Sequence, residues 1–409
     1  MPQYQITVDE ETVQGLFSGD GALAKLVEQV VNEILQGQVS EQLGATRYER
    51  TEQRTGYRNG NRPRTLIARV GTLNLRVPQV REGEFSTEVF SRYQRSEQAL
   101  VLSLIEMVIN GVSTRKVAKI TEELCGTTLS KSTVSELCQR LDPVVKAWNE
   151  RDLRESRFPF VLVDALVIRV REEGRVKPIS AMIATGVNER GYREILGLML
   201  GDSESESSWG AFFAWLKQRG LLGVDLVVSD SHGGLVAAVR THFQGCTWQR
   251  CQTHLTRNIL DAAPKSVQGE LHGRLRSLLE APDVETARTL LDKLVTDYGE
   301  RAARAIAVLE AGFDDATAVL ALPERYRVRL RTTNGVERLN EEVRRRERVI
   351  RIFPNRASAV RLLGALLMEI DEAWSTGRRY LAMDEYWQWR KEQAEAAVAN
   401  TSSRERQIA

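Results

Sequence analysis

One stretch limits the architecture of this chain more than any other. Phe160 to Arg171 reads FVLVDALVIRVR, a β-branched apolar run with one acid, Asp164, in its middle. Such a run fits a strand buried on both faces. Gly174 turns it into a second strand, Ile179 to Val187, and Ile195 to Leu200 follows as a third, an antiparallel meander. Ser208 to Gln218 has helical spacing. Val224 to Ser229 is short and apolar and belongs at the centre of a sheet. Leu235 to His242 reads as a helix, Gly245 to Arg250 as a fifth strand, and a further helix begins near Thr253.

This element order is that of the ribonuclease H-like fold, a mixed five-stranded α/β sheet whose first and fourth strands lie side by side. An ionised carboxylate inside an apolar strand is costly without a cation or hydrogen bonds. Asp230 follows the fourth strand directly. Each acid alone has a plain reading: Asp230 as a helix cap, Asp164 as an arginine partner. Side by side they repel unless a divalent cation lies between them. Oxygen-only ligands favour Mg²⁺ or Mn²⁺. A third acid comes from TTNGVERLN, in which Thr333 or Asn334 caps a helix and Glu337 sits in its first turn. Glu341 lies one turn further on the same face, so spacing leaves both open.

The formal charge of the 409 residues is only +2, yet arginine is clustered. Arg47 to Arg81 holds nine arginines against two glutamates, and Glu324 to Arg356 holds eleven against five. The guanidinium fork matches phosphate oxygens, so both clusters point to a nucleic-acid backbone. In the first, Arg58, Arg62 and Arg64 are candidate contacts. In the second they are Arg331, Arg338, Arg344, Arg345 and Arg346. No apolar run approaches the ~20 residues of a membrane span. Met1 to Glu10 has no signal-peptide pattern, and four cysteines make no disulfide scaffold, which implies a reduced, intracellular setting.

Ahead of the sheet, Asp20 can cap a helix to about Leu43, striped by Leu23, Leu26, Val27, Val30, Val31, Ile34 and Leu35. Alternation from Leu66 to Val77, broken by Gly71, predicts a hairpin. Glu97 to Leu141 reads as three helices. Ser113 caps the second (Thr114 to Leu124), and Ser130 caps the third (Lys131 to Leu141). The last two are joined by a turn at Cys125, Gly126 and Thr127, the helix-turn-helix pattern. The third would offer Lys131, Ser132, Ser135 and Gln139 to the major groove. Between Pro264 and Pro323 the chain is helical throughout, and the tail after Tyr386 begins as a helix.

The chain resembles the Mutator-type transposases of bacterial insertion sequences. The likeness runs from about Glu41 to Trp374 and is carried by FVLVDALVIRVR, VVSDSHGGL, WQRCQTHLTRN, RTTNGVERLNEEVRRRERVIRIFPN, RVGTLNLRVPQVREGEF and GVSTRKVAKITEELCGTTLSKSTVS. The resemblance implies an Asp-Asp-Glu site of Asp164, Asp230 and Glu337, and it selects Glu337 over Glu341. It implies Mg²⁺ or Mn²⁺ on these three, two-metal phosphoryl transfer, and cleavage of transposon ends with joining of the 3′-hydroxyl to target DNA. Expected partners are double-stranded terminal inverted repeats and target DNA, with a homodimer or higher homo-oligomer, in a bacterial cytoplasm at the nucleoid. The family's Cys-x2-His motif falls on Cys251 and His254. Zinc there lacks further ligands, Cys246 being the only near candidate, and His254 is a candidate phosphate contact. The expected organisation is 1–96 helix and arginine-rich hairpin, 97–156 helix-turn-helix, 157–262 core, 263–325 all-helical insertion, 326–375 core, 376–409 tail. The alternatives are a non-catalytic DNA-binding regulator and a nuclease of the same fold without strand transfer.

Overall fold

The computed structural model describes residues 10, 14, 21–87, 89–90, 96–125 and 129–408. The chain divides into two compact units, residues 1–140 and 141–409.

In the first unit, helix α1 (Ala22–Leu43) ends at Gly44, whose left-handed φ of 62° closes the last turn through its amide. Asp20, the expected cap, lies outside the described residues. Strands β1 (Arg58–Ala68) and β2 (Gly71–Val80) form an antiparallel hairpin turning at Arg69 and Val70. Pairing begins at Arg58, so the hairpin takes in much of the arginine-rich stretch. Backbone ladders tolerate polar side chains where a strand leaves the core. Leu66, Ala68, Leu73, Leu75 and Val77 pack with Leu35 and Phe90. Of the expected α1 stripe, Leu35, Val31 and Val27 face this core, while Leu23 is exposed. Glu28 and Asn32 of α1 accept from the amides of Asn74 and Arg76, both at 2.7 Å, which blunts the free edge of β2.

Helices α2 (Gln98–Ile109), α3 (Thr114–Cys125) and α4 (Lys131–Cys138) follow. The two serine caps form as expected: Ser130 Oγ accepts from Thr133 N at 3.0 Å, and Ser113 Oγ from Lys116 N at 3.3 Å. Helix α4 is shorter than expected, passing into a 3₁₀ turn at Gln139–Leu141. The turn residues 126–128 lie outside the described residues.

The second unit opens with α5 (Asp142–Asn149) and then builds one sheet. Its strands are β3 (Phe160–Glu172), β4 (Arg175–Val187), β5 (Arg193–Gly201), β6 (Leu226–Ser229) and β7 (Thr247–Arg250). Their order is β5-β4-β3-β6-β7. The first three are antiparallel, and β3–β6 and β6–β7 are parallel. Helices α6 (Glu206–Gln218) and α7 (Gly233–His242) join β5 to β6 and β6 to β7.

Alternate residues of β3 serve two cores. Val161 and Val163 pack with Trp209, Phe212, Phe213, Leu235 and Val239. Phe160 and Leu162 pack with Tyr326, Leu330, Val336 and Tyr386. Edge strand β5 is closed by side chains. Asp371 accepts from Ile195 N at 2.6 Å, Asn149 brackets Leu198 at 2.9 Å on both its amide and its carbonyl, and Arg219 donates to Leu196 O at 2.6 Å.

Helices α8 (Gln252–Ala262), α9 (Gln268–Leu279), α10 (Val284–Tyr298) and α11 (Ala303–Thr317) enclose their own core around Leu255, Leu271, Leu275, Ile306 and Leu309. Helix α12 (Glu324–Leu330) then leads back to the sheet, followed by α13 (Asn334–Ile350), α14 (Arg356–Thr376) and α15 (Asp384–Ile408). Between α13 and α14, Phe353 exchanges backbone hydrogen bonds with Arg169 and Arg171, both at 2.8 Å. This covers the part of β3 that the four-residue β6 is too short to reach. Among the described residues no helix is long and apolar enough to cross a membrane.

Candidate active site

The parallel register of β3 and β6 pairs Phe160 with Leu226 and Leu162 with Val228. Two positions beyond the last pair stand Asp164 and Asp230, neighbours at the point where β6 ends. Asp164 Oδ1 accepts from Ala165 N at 2.9 Å, and Oδ2 accepts from Asn340 Nδ2 at 2.8 Å. Burial pushes the Asp164 carboxyl up to about 6; the Ala165 hydrogen bond opposes this, and the Asp230 and Glu337 charges reinforce it. No arginine pairs with Asp164 among the described residues, so it is not half of a structural ion pair. Asp230 is not a helix cap either: its Oδ1 accepts from His232 N at 3.1 Å, and His232 occupies the N-cap of α7.

The third carboxylate arrives on α13. Glu337 lies in its first turn, with Oε1 3.5 Å from His254 Nε2. That oxygen is buried and has no hydrogen-bond partner. Glu341, a turn later, is exposed. The start of α13 is tied to the start of α8. Thr333 N and Oγ1 each donate to Cys251 Sγ at 3.3 Å, Gln252 N donates to Arg331 O at 3.0 Å, and Thr253 Oγ1 donates to Asn334 Oδ1 at 3.2 Å. Thr333 therefore precedes the helix as expected, but its hydroxyl serves Cys251 and caps no amide. Burial opposes ionisation of the Cys251 thiol, yet hydrogen bonds from His254 and Thr333 outweigh it and draw its pKa below the ordinary value. The contact with Cys251 raises the His254 pKa, helped by Glu337 and Asp164.

Sequence reasoning missed three features. Asn340 is buried and grips Asp164, and its only signal is the i, i+3 spacing from Glu337. Glu204, in the loop before α6, is a fourth acid at the site, its pKa raised by burial and then by Asp230. No motif marks it. Cys251, His254 and Glu337 bring candidate ligand atoms within 4.8 Å of one another, so the nearest further ligand to the Cys-x2-His pair is Glu337 rather than Cys246.

The arginine candidates divide. Arg338 and Arg344 are exposed. Arg345 is exposed and lies 3.1 Å from Glu342, and Arg331 lies 3.1 Å from Glu280. Arg346 offers no free phosphate donor: it is turned into the protein and bonded to Glu342. In the first unit, Arg62 is exposed and the Arg64 guanidinium covers the Phe90 ring at 4.1 Å. Arg58 is a strut, donating to Gln36 Oε1 at 3.1 Å and Ser40 Oγ at 2.7 Å on α1. Lys131 and Ser132 are exposed on α4, and Ser135 is half-buried.

The family model described as "Transposase, Mutator family" matches residues 2–377. The chain belongs to the Mutator family of transposases. The transposase of insertion sequence IS256 in transposon Tn4001 from Staphylococcus aureus is 44% identical over 390 residues, 94% of this chain and 100% of that one. The ISRM5 transposase of Rhizobium meliloti is 44% identical over 92% of this chain and 94% of its own. The IS1081 transposase of Mycobacterium tuberculosis is 40% identical over 83% and 82%. A solved Mos1 strand transfer complex is 12% identical, covers 55% of this chain and 81% of that one, and has a TM-score of 0.16, too low to carry an argument.

Proposed function

We propose that this protein is the DNA transposase of an insertion sequence, binding terminal inverted repeats, cleaving the ends and joining the 3′-hydroxyl to target DNA. One observation carries the reading in a chain of this family: two strand-end acids set side by side, with a third carboxylate oxygen beside them buried and without a hydrogen bond. A mixed sheet of order β5-β4-β3-β6-β7 supports a ribonuclease H-like core, and α3 with α4 supports a helix-turn-helix reader.

Asp164, Asp230 and Glu337 fit a divalent cation. All are oxygen ligands, they repel one another without one, and Glu337 Oε1 accepts no hydrogen bond, its contact being His254 Nε2 at 3.5 Å. Bound there, Mg²⁺ or Mn²⁺ supplies activation of the attacking oxygen and stabilisation of the departing 3′ oxygen. The chain's own residues do the rest. Asn340 fixes the Asp164 carboxylate by one oxygen, and the Cys251–Thr333 contact fixes the start of α13 so that Glu337 faces Asp164. Exposed Arg338, Arg344 and Arg62 would take backbone phosphates, and Lys131, Ser132 and Ser135 would read bases. Two ends handled together call for at least a dimer.

The test is Mg²⁺-dependent joining of a pre-cleaved 3′ end to a target duplex by the full chain. Asp164→Ala, Asp230→Ala or Glu337→Ala should each abolish joining while end binding persists. Cleavage without joining by the unaltered protein would make it a nuclease. Binding with neither reaction would make it a regulator.

A further inference from the structure

A second cluster lies beside the start of α13, the helix that carries Glu337. Arg193 opens β5, and its guanidinium lies 3.7 Å from the Trp374 ring centroid and 4.5 Å from that of Tyr380. Arg329, on α12, stacks on the same Tyr380 ring at 4.6 Å. Arg338, exposed on α13 one residue after Glu337, adds its charge to the group. Burial disfavours the charged form of Arg193, and both Arg329 and Arg338 act against it; no carboxylate is among the groups that offset this. Neither Arg329 nor Arg338 has an ion-pair partner among the described residues.

The platform is tied to the turn before β5 by hydrogen bonds. Tyr380 N and Leu381 N both donate to Gly191 O, at 2.8 and 3.1 Å. Asn188 Oδ1 holds the intervening turn through the amides of Arg190 and Tyr192, each at 3.0 Å. Gly191 has a φ of 91°, and a Cβ there would lie 1.9 Å from Leu381 O. The aromatic faces offset part of the cost of gathering the cations but leave the guanidinium donors unused. Arg193 and Arg329 on one ring, with the Arg338 charge near them and no ion pair on any of the three among the described residues, match a phosphodiester, which accepts parallel hydrogen bonds and cancels the repulsion. Gly335 of α13 sits against the cluster: a Cβ there would lie 3.4 Å from Arg193 Nη1. Glu337 is two residues on, a rise of about 3 Å.

We propose that Arg193, Arg329 and Arg338 form a binding site for a DNA backbone phosphate beside the reacting bond, held on the Tyr380–Trp374 platform. It rests on the transposase reading above and adds to it where the substrate backbone is held.

The test uses the full chain and a fluorescent duplex carrying the inverted repeat that flanks its gene, titrated by anisotropy from 50 to 200 mM salt. Arg193 is packed, so the informative variants are Arg329→Gln, Arg338→Gln and the pair. Each single variant should weaken binding on the order of tenfold. The pair should also lower the slope of log affinity against log salt by about 0.9 for the lost phosphate. Arg325→Gln, on the same helix as Arg329 but ion-paired with Glu385 at 2.9 Å, should change neither. If the pair binds with wild-type affinity and slope while the unaltered protein binds and joins ends, the phosphate site is refuted and the transposase reading stands. If the unaltered protein binds no DNA, both fall.

Discussion

Asp164→Asn is the change that most directly weighs the cost of keeping this buried carboxylate ionised. Burial and the neighbouring carboxylates lift Asp164 from its ordinary 3.8 to about 6. At about 1.4 kcal/mol per tenfold, its ionised form is disfavoured in the folded protein by about 3 kcal/mol. The native state therefore holds the proton more tightly than the unfolded chain. Below about pH 4 the group is neutral in both states and contributes nothing. As pH rises from about 4 to about 6 the unfolded chain ionises first, so stability falls, and above that window the loss is complete.

An amide at position 164 removes this charge without losing a hydrogen bond. One amide atom can still accept from Ala165 N. The other becomes a donor, and Asn340 can meet it by flipping, since Asn340 Oδ1 is buried and unpartnered. With chelator at pH 7.5, the Asn variant should melt about 6 °C above the unaltered protein, at roughly 2 °C per kcal/mol for a unit of this size. The gap should close as pH approaches 4. Mg²⁺ should then raise the melting temperature of the unaltered protein and leave the variant unmoved, because only the native site binds it. Differential scanning calorimetry reads all three. A variant that melts at or below wild type in chelator at pH 7.5 would refute the argument that Asp164 is held at an electrostatic cost.

The remaining expectations concern single contacts. Glu337→Gln should abolish strand joining and Glu341→Gln should retain it; the reverse pattern in a joining assay would move the third ligand one turn along α13. Asn340→Leu keeps the branched shape but frees Asp164 Oδ2, and should lower the joining rate roughly 10- to 100-fold with end binding intact; an unchanged rate would make Asn340 a packing residue only. Gly234→Ala should destabilise markedly, because a Cβ there would lie 2.6 Å from Glu206 N, whereas Gly233→Ala meets nothing within 4 Å. Equal melting temperatures for the two glycine variants would contradict that close approach beside Asp230.

Much of this geometry was legible because strands and acids announce themselves in different ways. The β3 run shows its burial by composition, and a lone acid within it stands out as an exception that needs a cause. The hairpin at Leu66 to Val77 alternates, so its inner face could be read directly. Asn340 and Glu204 could not be found this way. An asparagine on an arginine-rich helix has an ordinary surface reading, and a loop glutamate follows no period. Arg346 shows the converse error. Three consecutive residues on a helix span about 200°, so Arg344, Arg345 and Arg346 cannot all face solvent, and the third turns into the protein. Arg58 likewise lies where a long side chain crosses from β1 to α1.

The Cys-x2-His motif acquires its clearest physical role from what it joins. Between Cys251 and Thr333 the chain runs through α8 to α12, and its two ends are fastened by the sulfur contacts and by Gln252 N to Arg331 O. Closing a longer loop adds entropy only logarithmically. Once the ends are fastened, the helical segment can vary in its outer turns, such as at Glu300 and Arg301, without moving Glu337. Breaking the fastening is different. Cys251→Ala leaves the buried Thr333 amide without its acceptor, a loss of about 1–3 kcal/mol, at the residue from which α13 starts. The third carboxylate is thus set against Asp164 by a short strap from α8, while the insertion between them has only to bring the chain back.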